Sequence, residues 1–182
     1  LETVFFGKYT YVHDGLVPFL TILKENLGNV MFLSSRPLSH LPQTRKFLSN
    51  VRDNNTSNAN GNILGLPFGP LFVNRESVST AAYRELIART SYEFKVGVLR
   101  NIRECFIQAY MYSANIAAAG QQQSTITETS PFVVGIGNRP ADMKAYHAVG
   151  IQSKSLFFVD SSSSVSLYDI KAANAHERRS RT

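Results

Sequence analysis

The stretch Phe132–Ile151, FVVGIGNRPADMKAYHAVGI, decides how the rest of the chain is read. Phe132–Ile136 is a short run without charge, the pattern of a parallel strand buried on both faces. Gly137-Asn138 then marks a turn. Pro140 suits the first position of a helix, where its missing N–H costs nothing, and Gly150 suits the stop. The spacing predicts a strand that hands over directly to a helix ending at Val149.

The same alternation continues outward. Leu156–Val159 reads as the last strand, followed by four serines, Ser161–Ser164, and a polar basic tail over 171–182 expected to be flexible. Upstream, Ala117–Ser130 (AAAGQQQSTITETS) has no period and reads as a flexible insertion. Ser91 is a cap candidate for a helix with Val98, Ile102 and Phe106 four apart, and Ser77 or Ser79 for a preceding helix ending near Arg89. Pro70–Val73 reads as a strand, and Asp53–Asn62 (DNNTSNANGN) as a surface loop or insertion. Leu41–Val51 reads as a helix with Arg45 and Lys46 outward. Val30–Leu33 is a buried strand running into a turn at Ser34-Ser35-Arg36-Pro37. Asp14 is placed to cap a helix bearing Leu16, Leu20, Leu23 and Leu27, with Gly28 as its stop. Strands alternating with helices define an α/β fold with a mostly parallel sheet flanked by helices.

The 182 residues suit one domain, and 43% hydrophobic with 18% charged residues is a globular balance. The longest uncharged stretch, Cys105–Thr127, carries Gln108, Asn115 and Gln121–Gln123, too polar for the ~20 apolar residues of a spanning helix. A single cysteine, Cys105, excludes an intrachain disulfide framework and reads as core beside Phe106. The histidines, His13, His40, His147 and His176, have no zinc spacing. The net charge of +6 permits an anionic partner, but the basic residues are scattered, with one cluster at Arg178, Arg179 and Arg181. Without a stripe of Lys and Arg interleaved with aromatics, direct nucleic-acid binding is not expected.

Ligands of parallel sheets bind outside the carboxyl ends of the strands, and two such ends carry chemistry here. After Phe132–Ile136, Asn138 and Asp142 stand four apart and offer the oxygen donors that Mg²⁺ prefers. Both also fit ordinary helix capping. After Val30–Leu33, the Ser34 hydroxyl and nearby amides form a phosphate-sized donor pocket, or a plain serine-rich turn. Lys95 is read near a helix start, where it opposes the helix dipole; a solvated surface lysine is the other reading.

These residues bring a family resemblance with them. The chain resembles the C-terminal catalytic LNS-type domain of the lipins, Mg²⁺-dependent phosphatidate phosphatases of the haloacid dehalogenase superfamily. Phe132–Ile151 is close to the lipin GNRPAD pattern followed by a Tyr and a Val-Gly. Leu64–Val78 (LGLPFGPLFVNRESV) resembles the LPxGPxxLSPxxL segment. Glu93-Phe94-Lys95 with Arg100-Asn101-Ile102 resembles FKxxxLxDI, and Val30–Arg36 resembles a strand ending in Ser-x-Arg. Gly7-Lys8 and His13-Asp14-Gly15 resemble GKDWTHxGV with two residues inserted. The likeness covers roughly residues 5 to 160, in the family's order.

The resemblance implies a haloacid-dehalogenase-like Rossmannoid in a single domain over 1–170, interrupted by insertions at 53–62 and 117–130. It implies hydrolysis of phosphatidic acid to diacylglycerol and phosphate. Ser34 and Lys95 would be catalytic; Ser34, Arg36, Lys95 and Arg139 would bind substrate; Asn138 and Asp142 would hold Mg²⁺. The partner would be phosphatidic acid at a membrane surface. The protein would be cytoplasmic and peripherally attached to endoplasmic reticulum or nuclear membrane. One departure stands out. The superfamily nucleophile lies in a DxDxT motif, and no two of Asp14, Asp53, Asp142, Asp160 and Asp169 are spaced i, i+2. The expectation is a fragment starting after that motif, inactive and poorly stable alone. The alternative is a non-catalytic phosphatidate-binding LNS domain, as in membrane-associated phosphatidylinositol transfer proteins. A soluble-metabolite phosphatase would need a cap domain, which low-complexity insertions do not resemble.

Overall fold

The computed structural model describes residues 12–57, 61, 63–75, 83–117 and 130–169. The chain divides into two compact units, Leu1–Tyr83 and Arg84–Thr182.

In the first unit, helix α1 (Leu16–Leu27) lies between two left-handed glycines, Gly15 at φ 74° and Gly28 at φ 113°. Gly15, not Asp14, is its N-cap. The Leu16 N–H already donates to the His13 carbonyl at 3.2 Å, and Pro18 has no N–H, so little is left for an aspartate to cap. Val17 and Leu20 are the buried face. Strand β1 (Phe32–Pro37) then runs straight through the predicted turn, so Ser34, Ser35 and Arg36 are strand residues. The ladder starts at Phe32, whose N–H donates to the Pro70 carbonyl at 2.8 Å; Pro70 has no donor with which to extend it toward Val30.

Helix α2 (Leu41–Asn50) follows as predicted, with Arg45 and Lys46 exposed. The Asn-rich stretch is not a bare loop. Strand β2 (Arg52–Ser57) pairs antiparallel with β3 (Ile63–Gly65), matching Arg52 to Gly65 and Asp53 to Leu64 before an irregularity. Backbone pairing needs no apolar side chain, and that is why composition hid the ribbon. Strand β4 (Leu71–Asn74) pairs with β1, Phe32 to Leu71 through Ser34 to Val73, with a shift before Pro37–Asn74. Gly69, just before β4, passes so close to the Val30 carbonyl that a Cβ there would collide with it.

In the second unit, α3 (Tyr83–Ala117) is one continuous helix of 35 residues. The predicted break at Ser91 is absent, because no Gly or Pro separates the two periodic segments and propagating a helix costs less than restarting it. Ser77 and Ser79 lie outside the described residues. Ser91 is buried within the helix, and the buried stripe is Ser91, Lys95, Val96 and Leu99. Phe106 is 59% exposed, and Cys105 is exposed, which overturns its reading as core.

Strand β5 (Gly135–Gly137) leads into helix α4 (Pro140–Ala148), with Pro140 at its start and Gly150 left-handed beyond its end. Strand β6 (Leu156–Val159) pairs parallel with β5, and β7 (Val165–Leu167) antiparallel with β6, so β6 is not the last strand. Asp160 Oδ1 ties the serine turn between them, accepting from Ser162 N–H, Ser162 hydroxyl and Ser164 N–H at 2.8, 2.7 and 2.9 Å. Leu99, Met143, Ala145, Val149, Ile151 and Leu156 form the core. Residues 118–129 of the predicted insertion, and the tail from 170, lie outside the described residues.

The architecture is mixed α/β, with two parallel pairs, β1–β4 and β5–β6. The described strands form three small sheets rather than one. Among the described residues no helix is long and apolar enough to cross a membrane.

Among the described residues, α2 buries a polar side-chain atom that has no hydrogen-bond partner. Thr44 on α2 is 2% exposed, and its hydroxyl makes no hydrogen bond. Thr44→Val keeps the shape and removes the orphan, so it is expected to leave stability unchanged or raise it by about 1 kcal/mol. A thermal melt reads this; a fall of several degrees would mean that the hydroxyl has a partner in solution.

Candidate functional site

The second unit's site is built where β5 hands over to α4. Successive strand residues face opposite sides, so Gly135 and Gly137 present bare backbone on one side. Helix α4 lies on that side. A Cβ at Gly135 would stand 2.7 Å from the Tyr146 ring; one at Gly137 would stand 2.9 Å from Asp142 Cβ and 3.0 Å from its Oδ2. The spacings match. Asp142 and Tyr146 are one helical turn apart, about 6 Å of rise, and two strand residues span about 6.6 Å. Each glycine therefore receives one side chain of the helix.

Asp142 sits in the first turn of α4, where its charge complements the helix dipole. It is only 4% exposed, and Oδ1 accepts from Lys95 Nζ at 2.6 Å, joining α4 to α3. Lys95 is 6% exposed and lies well inside α3, so the reading of it as a lysine opposing a helix start is wrong, as is the surface alternative. Its burial and its partner mark it instead. Two charges withdrawn from water this far persist only because they face one another.

The rest of the turn is open. Arg139, not Asn138, holds the N-cap position, and no side chain caps the helix. Asn138 and Arg139 are exposed on either side of the bend. The capping alternative thus holds for Asp142 as a first-turn acid and fails for Asn138. The Tyr146 hydroxyl donates to the Ile136 carbonyl at 3.2 Å. Burial first, and the Asp142 carboxylate second, raise its pKa above the ordinary tyrosine value, so the phenol stays a neutral donor.

Ser34 and Arg36 belong to the first unit. Both are half-buried on β1, and the Ser34 hydroxyl accepts the Arg36 N–H at 3.4 Å. Sequence reasoning singled out Lys95, Asn138, Arg139 and Asp142, which the structure gathers around one turn. It passed over Gly135 and Tyr146; the signal available was Tyr146 four residues after Asp142, on the same helix face.

The donor set fits a hard cation. Lys95 occupies Asp142 Oδ1, Oδ2 lies on the Gly137 side, where a Cβ would stand 3.0 Å from it, and Asn138 carries an amide oxygen on the turn ahead of α4. Among the described residues no three His, Cys, Asp or Glu side chains gather in one place. The oxygen donors of Asp142 and Asn138 are of the kind that a hard cation such as Mg²⁺ takes.

Comparison with known proteins places the chain in a family. The profile of the LNS2 (Lipin/Ned1/Smp2) family matches residues 3–179, and the chain belongs to that family. It is 29% identical over 156 residues to Phosphatidate phosphatase PAH1 of Arabidopsis thaliana, covering 86% of this chain and 14% of that protein. It is 24% identical over 155 residues to Phosphatidic acid phosphohydrolase 1 of Saccharomyces cerevisiae, covering 85% of this chain and 16% of that protein. Against human Phosphatidate phosphatase LPIN1 the identity is 27% over 150 residues, 82% of this chain and 14% of that protein. The chain therefore spans about one seventh of the length of these relatives.

The buried pair makes a direct test. Lys95→Met leaves Asp142 as an uncompensated buried charge and is expected to cost about 3–5 kcal/mol in urea unfolding. Adding Asp142→Asn removes that charge, and the double variant should lose clearly less than the sum of the singles. Strict additivity would show that the two groups do not interact.

Tyr146 makes another. A phenol whose folded pKa lies above its unfolded value of about 10 contributes stability that is complete below about pH 10 and is lost as pH rises toward the folded value. The melting temperature is expected to fall more between about pH 9 and 11 in the wild type than in Tyr146→Phe. Parallel curves would show that Tyr146 ionises freely in the folded protein.

Proposed function

We propose that this chain carries part of the catalytic centre of a Mg²⁺-dependent phosphatidate phosphatase, on a haloacid-dehalogenase-like Rossmannoid, releasing phosphate from phosphatidic acid to leave diacylglycerol. The carrying observation is the buried Lys95–Asp142 pair at the head of α4, in a chain of the LNS2 family whose relatives bear the name phosphatidate phosphatase. The two parallel pairs, with the pair β5–β6 packed under α4, support the Rossmannoid reading.

The roles follow from charge. Phosphoryl transfer requires positioning and neutralisation more than covalent work by the protein. Asn138 and Asp142 would hold Mg²⁺, which supplies positive charge toward the phosphate when bound. Lys95 orients Asp142 and offers a buried ammonium, worth more there than in water, to the anionic reacting groups. Arg139, exposed ahead of α4, would engage the phosphate, as Ser34 and Arg36 would by the family resemblance. The nucleophile is assigned to a DxDxT aspartate outside these 182 residues, with a phosphoaspartate as the intermediate. The substrate would be met at a membrane surface by peripheral attachment to endoplasmic reticulum or nuclear membrane from the cytoplasmic side.

The test is phosphate release from phosphatidate in mixed micelles, using the full-length natural protein that contains this segment. Release is expected to require Mg²⁺ and to fall at least about 100-fold in Asp142→Ala. Binding of phosphatidate without any release would assign the chain to the lipid-binding alternative.

A further inference from the structure

We propose that Tyr146 is a positioning residue, whose hydroxyl holds the end of β5 in the place from which Asn138 and Asp142 depart. The role deepens the reading of this turn as a metal and phosphate centre and rests on it.

The turn at 137–139 is held through its backbone: Gly137 pairs with Phe158 on β6, and the Arg139 carbonyl accepts the Asp142 and Met143 N–H groups at 3.0 and 3.4 Å. No side chain caps α4, Gly137 has no side chain, and Asn138 and Arg139 are exposed. Gly137 also brings the widest backbone freedom of any residue just before the two proposed ligands. The peptide linking Ile136 to Gly137 is a rigid plane that carries the Ile136 carbonyl. Fixing that carbonyl therefore fixes the direction in which the chain enters Gly137. Strand β5 is only three residues long, and among the described strands it pairs with β6 alone.

Tyr146 adds a side-chain hold from one helical turn beyond Asp142. Its ring rests on Gly135, where a Cβ would stand 2.7 Å away, and its hydroxyl donates to the Ile136 carbonyl at 3.2 Å. Ring and hydroxyl do different work. The ring keeps α4 seated on the strand, and the hydroxyl orients the peptide ahead of the turn. Because Asp142 shares this helix face, the same side chain ties the strand end to the helix that carries the carboxylate. Partners that orient ligands without touching the reacting atoms typically matter 10–100-fold when removed.

The decisive variant is Tyr146→Phe in the full-length natural protein, which keeps the ring and removes the hydroxyl. Amide exchange over 137–142, followed without metal, is expected to quicken about tenfold while the rest of the unit is unchanged. Mn²⁺, used alone as a probe and followed by electron paramagnetic resonance, is expected to bind about tenfold more weakly. With phosphatidate, kcat should fall on the order of tenfold at unchanged KM. Tyr146→Leu, which loses the ring as well, should additionally lower the melting temperature. Unchanged exchange in Tyr146→Phe would overturn the proposal and leave Tyr146 as packing only. Faster exchange in a protein that releases no phosphate at all would sustain the positioning role and retire the phosphatase reading.

Discussion

The second unit depends on one close approach, that of helix α4 onto the bare backbone of β5. Glycine at 135 and 137 removes the two Cβ atoms that would hold the helix away, and Tyr146 and Asp142 occupy the space. The match between two strand residues and one helical turn lets both contacts form at once. Everything chemical in this unit follows from that seat. Asp142 reaches the strand end, meets Lys95 from α3 through one oxygen, and turns the other toward Gly137.

The Lys95–Asp142 pair is better understood as arrangement than as stability. Its Coulomb attraction works against a desolvation cost of several kcal/mol per ion, and an apolar pair of similar volume would often serve folding as well. A charged pair brings directionality that an apolar one lacks. The ammonium sets which carboxylate oxygen is engaged and holds a positive charge in a low-dielectric place, where a phosphate would feel it strongly. The first unit is organised differently, with β1 and β4 in parallel and an Asn-rich ribbon of β2 and β3 packed under α1.

Much of this was legible in residue order. Pro140 and Gly150 bracketed α4 because each has a backbone restriction that belongs to a helix end. Leu156–Val159 was legible as an apolar run, and α2 by its period. The misreadings have physical causes too. Ser34–Pro37 looks like a turn by composition, yet a parallel neighbour at Leu71–Asn74 supplies ladder bonds that composition does not encode. Ser91 looks like a cap, yet with no breaker before it the helix runs on and buries it. Asp53–Ser57 looks like loop because its side chains are polar, whereas the ribbon is held by backbone.

For the candidate site, sequence alone determined that Asn138, Arg139 and Asp142 fall on one turn, since they are close in the chain and local geometry keeps them together. It determined the family for the same reason, through short segments in a recognisable order. Only the tertiary structure decided that Lys95, 47 residues away from Asp142, is its partner, and that Tyr146 is bonded to the strand it lies against. Those relations depend on how α3 and α4 pack. No local period or propensity specifies a contact between helices, and burial, which sets Lys95 apart from an ordinary surface lysine, exists only once the chain has closed over it.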